Sequence, residues 1–222
     1  MEAPRAAQQL PGEMQRRLLE LYAIEAAPDV QPFVTGNQAF VAALEGAAHR
    51  PTREKLLIVE APDELSVSLY LDPAMLARLA ATGLEPLREH SVADFWELAE
   101  GVSHFTLLAW SAACERPVSA LELELQAEVD KFVLAVEAAR AEFPNQALLP
   151  LHYLQFERAG FDPALPPEER ERYATASAYA GRYCRRLSTL LAGAQHAELR
   201  TELRRFYRLS RNDKFHRIAA LD

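Results

Sequence analysis

The stretch "FWELAEGVSHF", residues 95–105, places Glu97, Glu100 and His104 three and four residues apart. On one continuous helix these side chains share a face, as ligands of one metal ion or an acid–base pair must. Two opposing features lie in the same stretch. Gly101 stands between Glu100 and His104 and is expected to break the helix there, and two carboxylates with one imidazole match no standard signature such as HExxH. From sequence alone, Glu97 and Glu100 therefore read as surface acids beside a structural His104 near Trp110, with an enzyme or metal site around Glu97/Glu100/His104 as the third reading.

No other stretch makes a stronger chemical case. His152 and Glu157 are expected in a loop, with nothing to orient one against the other. GxSxG, Walker A and GxGxxG patterns are missing, and eight scattered glycines do not make a phosphate-cradling loop. Cys114 and Cys184 stand seventy residues apart without zinc-ligand spacing and read as free thiols. No metal and no cofactor is expected.

The second chemical feature is basic. "RRFYRLSRNDKFHRI", residues 204–218, closes an acidic chain of net charge −8. Residues 1–150 hold 11 Lys+Arg against 23 Asp+Glu, whereas residues 151–222 hold 13 against 9. Arg200, Arg204, Arg208 and Arg211 fall in a stripe beside an apolar face of Leu199, Leu203 and Phe206, with Arg182 and Arg186 on the preceding helix. With Tyr207 and Lys214 they form the candidate surface for a protein partner, or for nucleic acid or another polyanion. An overall acidic chain argues against a dedicated nucleic-acid binder. The favoured expectation is a non-enzymatic interaction or regulatory protein, contacting a protein partner or a second copy of itself.

The elements that must position these groups follow from periodicity. A first helix spans about 8–26, and Thr35 or Asn37 opens a short second one. "KLLIVEAPDELSVSLYL" reads as a hairpin over about 55–71, the best strand signal in the chain. Asp72 and Pro73 start a helix that ends before Gly83, and Ser91 with Asp94 resembles a capping box for the next, expected to stop near Gly101. "VSHFTLLAW" suits either strand or helix; the strand is favoured, and it would add a third strand at about 102–111. "SALELELQAEVDKFVLAVEAARAEF" alternates like a strand, but its length, its strong helix formers and the Ser119/Glu122 capping box decide for a helix. Its glutamates at 122, 124, 128 and 137 should spread into solvent. Two further helices follow, over about 168–191 and 197–210.

The fold class expected is α+β, predominantly helical, with a small antiparallel sheet on helices and a helical C-terminal part. The division is an acidic part, 1–162, and a basic helical part, 163–222, packed together as one unit. No apolar run approaches the roughly 20 residues of a membrane span, and the first residues lack a secretory pattern. No membrane contact and a cytoplasmic location are expected.

Overall fold

A computed structural model describes residues 5–46, 50–61, 64–84, 91–142, 149–158, 160–192 and 195–221. The chain is a predominantly helical α+β protein with a three-stranded sheet. The elements are α1 (Arg5–Tyr22), β1 (Val34–Thr35), α2 (Gln38–Glu45), β2 (Glu54–Ala61), β3 (Glu64–Leu71), α3 (Pro73–Thr82), α4 (Val92–Ala113), α5 (Ala120–Glu142), α6 (Leu149–His152), α7 (Pro167–Ala192), α8 (His196–Arg208) and α9 (Arg211–Ala219). A π-helical turn, Tyr153–Glu157, continues α6.

Local chemistry accounts for most of the starts. Asp72 accepts hydrogen bonds from the Ala74 and Met75 amides, each 3.1 Å, with Pro73 at the first helical position. Asn37 caps α2 through the Phe40 amide at 3.1 Å. Ser119 Oγ accepts the Glu122 amide at 3.3 Å at the start of α5. Ser91 makes no such capping bond: its own backbone is helical (φ −103°, ψ −13°) where a side-chain cap takes the extended region, and the Asp94 carboxylate is bound by Arg53 and Arg78.

The hairpin forms as expected, with β2 and β3 antiparallel from Glu54 opposite Leu71 to Ala61 opposite Glu64. The third strand does not come from 102–111. It is β1, which runs parallel to β3 with Val34 opposite Leu69, so the sheet is mixed rather than antiparallel. Residues 102–111 belong instead to α4, which continues unbroken through Gly101. The physical reason is burial on nearly every side: Val102, Phe105 and Leu107 are at most 2% exposed, and a helix that is apolar all round is a central one. Local β preference is worth a few tenths of a kcal/mol per residue and yields to that packing.

Gly101 is buried where α4 crosses the sheet. A Cβ there would lie 2.8 Å from Glu54 Oε2, 3.1 Å from Leu69 Cδ1 and 3.2 Å from Leu71 Cδ2. Its smallness permits the close approach of strand to helix. The roughly 1 kcal/mol that glycine costs a helix is offset by this contact.

The α5 helix is confirmed, but its surroundings are not those expected. It packs between α4 and α7, so Glu122 and Glu124 are buried and Glu128 is half-buried; only Glu137 reaches the surface. One continuous apolar core takes in residues from Ala7 of α1 to Ile218 of α9, including Ala176, Ala180, Tyr183, Cys184 and Leu187 on the inner face of α7. A buried polar network crosses it. Asp130 of α5 accepts from Tyr22 of α1, from Ser103 of α4 at 2.6 Å and from Gln126 at 2.9 Å. Lys214 of α9 donates to Gln126 Oε1 at 3.0 Å and sits 3.2 Å from Glu122.

Candidate metal centre

Within α4, Glu97, Glu100 and His104 do share a face, because Gly101 leaves the helix intact. The neighbouring elements complete a constellation around them. From the first turns of α5 comes Glu124, whose Oε2 lies 3.3 Å from His104 Nε2. From the opening residue of β2 comes Glu54, reaching over Gly101 so that its Oε2 lies 4.0 Å from His104 Nδ1. The imidazole is thus flanked by a carboxylate at each nitrogen. Ligand atoms of Glu100, His104 and Glu124 all lie within 4.8 Å of one another, compatible with one coordination shell.

Charge balance around the trio is specific. Lys131 of α5 bridges Glu100 at 2.7 Å and Glu128 at 2.6 Å. Arg172, in the second turn of α7, lies 3.4 Å from Glu124. Arg53 spans Asp94 at 2.7 Å and Glu97 at 2.9 Å. Glu97 is therefore one turn away from the centre, held in its wall, while Glu100 and His104 belong to it.

The protonation states follow from these neighbours. Burial disfavours the His104 imidazolium, but the carboxylates of Glu124, Glu54 and Glu100 outweigh it and hold its pKa up at about 9. Burial raises the Glu54 carboxyl well above its usual range against the pull of His104. Burial also pushes at Glu100, yet Lys131 and His104 keep it below the ordinary value. Burial and Glu100 raise Glu97. The surrounding acids thus favour positive charge at the ring.

Two buried atoms in the centre lack any aligned hydrogen bond: His104 Nε2, despite its approach to Glu124, and Glu54 Oε2. The His104 side chain is only 9% exposed. Unsatisfied buried polar atoms are costly, on the order of 1–3 kcal/mol each, and in native proteins they mark a missing partner or a functional site. Here both belong to one imidazole–carboxylate pair.

The centre forms the floor of a cleft of about 720 Å³. Its walls come from β2 and the residues before it, from α4, from the first turns of α5 and α7, and from residues 160–165. Sequence reasoning missed Glu54 and Glu124. Glu122, Glu124, Glu128 and Glu137 spread around α5, which suits solvent until α4 and α7 pack on two sides of it, and Glu54 sits at the head of a strand with no signal of what it faces.

The basic residues are placed differently from the stripe expected. Arg204 Nε donates to Leu21 O at 3.1 Å, and Arg208 donates to Tyr22 O and Ala23 O at 3.0 Å each, so these two close the C-terminus of α1. Tyr207 is buried, stacked on Tyr22 with ring centroids 4.2 Å apart, and Lys214 is fully buried in the polar network; neither is offered to a partner. Arg182, Arg186, Arg200 and Arg211 are exposed. Arg182 and Arg186 line a second depression of about 440 Å³ with Arg185, His152 and Phe156. His152 is not in a loop but in α6, buried, with Nε2 2.9 Å from Gly181 O.

Comparison with protein-family models, with curated proteins and with solved structures returned no match. Among the described residues, no helix is long and apolar enough to cross a membrane.

Proposed function

We propose that this chain is a metal-dependent protein of the Lewis-acid type, in which Glu100, His104 and Glu124 hold one divalent cation at the floor of the cleft. The observation that carries the reading is the convergence of these three side chains from two helices about a buried imidazole nitrogen with no aligned partner. Two carboxylates and one imidazole form a mixed oxygen and nitrogen set, suited to Mn²⁺, Fe²⁺ or Zn²⁺ more than to the all-oxygen preference of Ca²⁺ or Mg²⁺. Glu54 Oε2 stands 4.0 Å from the ring's other nitrogen, beyond hydrogen-bond reach, and so acts on the ring through its charge. A bound cation would supply Lewis acidity toward a ligand oxygen or a water in the cleft. The chain's own groups do the rest: Lys131 holds Glu100, Arg172 holds Glu124, and Arg53 keeps Glu97 in the wall.

Calorimetric titration of the metal-free chain with Mn²⁺ and Zn²⁺ tests the reading. One cation per chain, with affinity lost in His104→Ala and Glu124→Gln, supports it; absence of binding, or binding indifferent to both substitutions, overturns it.

A second reading rests on the α7 depression, where Arg182, Arg185 and Arg186 converge on the surface. It is contact with an anionic partner, the surviving part of the basic surface read from the sequence. Polyphosphate binding that weakens steeply with salt and disappears in an Arg185→Gln/Arg186→Gln variant supports this; binding unchanged by salt or by the variant removes it.

A further inference from the structure

The buried end of the cleft holds Glu54, Glu100, His104 and Glu124. The rest of its lining is mixed: Leu56 and Ile58 of β2, Leu123 of α5, and Phe161 and Leu165 form an apolar side, with charged Lys55, Asp162 and Glu169 beside them. Ile58 is 42% exposed and Phe161 36% exposed, both unusual for side chains of that size, yet both face the same cleft. Large apolar groups are left in water at a cost, and an apolar side next to convergent polar groups suits a small-molecule site. Glu54, Leu56 and Ile58 alternate along β2 and so share one face of the strand, which carries the lining outward continuously from the centre.

We propose that the ligand of this cleft is a small amphipathic molecule, with an oxygen-donor head that meets the cation and an apolar chain or ring seated against Leu56, Ile58, Leu123, Phe161 and Leu165. This rests on the metal-centre reading above. A uniformly polar ligand would leave the apolar side of the cleft wet, and a uniformly apolar one would leave the charges of the floor unmet. A ligand with an apolar tail removes that lining from water, each buried methylene strengthening binding by up to about fourfold.

Straight-chain hydroxamates of two, six and eight carbons, titrated into the Zn²⁺-loaded chain, separate the head from the tail. Affinity is expected to climb with chain length, and an Ile58→Ser/Phe161→Ser variant should flatten the climb while its Zn²⁺ affinity stays unchanged. Both positions are exposed, so the fold does not depend on them. Equal affinity for the short and long hydroxamates, or a climb that the double variant leaves intact, overturns the amphipathic ligand while the metal centre stands. A chain that takes up no Zn²⁺ at all removes the centre and this inference with it.

Discussion

At the scale of single residues, Glu54 Oε2 stands 4.0 Å from His104 Nδ1 and acts on the ring through its charge. Losing that charge in Glu54→Gln should weaken Zn²⁺ binding by about 10- to 100-fold without abolishing it, whereas His104→Ala, which removes a ligand, should cost more. Equal losses in the two variants would mean that Glu54 is itself a ligand. Gly101→Ala makes a sharper test of the contact between strand and helix. Alanine favours the helix by about 1 kcal/mol, and crowding against Leu69 and Leu71 costs about 1–3 kcal/mol. The net change in stability, read from chemical denaturation, should therefore lie between about zero and about 2 kcal/mol of destabilisation. Zn²⁺ affinity should nevertheless fall, because the atom that must move is Glu54 Oε2. Of this constellation, Glu97, Glu100 and His104 were legible from spacing along one helix; Glu54 and Glu124 were not, since they arrive from elements whose position depends on tertiary packing. The local cue at Gly101 pointed the wrong way, because propensity records what glycine costs a helix and not what its missing Cβ makes room for.

At the scale of elements, capping chemistry was readable at Asp72, Asn37 and Ser119, where donor and acceptor are close in sequence, though not at Ser91. It failed at α1, whose C-terminal carbonyls are capped by Arg204 and Arg208 from almost the other end of the chain. That is why the arginine stripe looked available. Arg208→Ala should lower stability by roughly 1 kcal/mol and speed amide exchange in the last turn of α1. An unchanged exchange pattern would show that the arginine does not hold that end. The misreading of 102–111 has a related origin. Aromatic and β-branched residues suit a strand locally, but a segment buried between the sheet, α1 and α5 gains more from a helix that closes its own hydrogen bonds.

At the scale of the whole molecule, the main core draws on residues from both the acidic and the basic parts, and the Asp130 network ties α1, α4, α5 and α9 across it. Burial raises the Asp130 carboxyl from 3.8 to about 6, against the hydrogen bonds from Ser103, Tyr22 and Gln126 and the charge of Lys214. A raised carboxyl pKa means that the folded state binds more protons than the unfolded one across that interval, so its contribution to stability declines as pH rises from about 4 to about 6 and is level above. The difference in unfolding free energy between wild type and Asp130→Asn should follow that course; a difference that grows with pH over the same range would contradict it. The central claim concerns the cleft. Its most direct measurement is titration of the metal-free wild-type chain with Zn²⁺ or Mn²⁺ alongside a Glu100→Gln/His104→Ala/Glu124→Gln variant shown by circular dichroism to be folded. One cation bound per wild-type chain and none by the variant is the expected result. Failure of the wild type to bind either cation, or equal binding by the folded variant, would contradict the assignment.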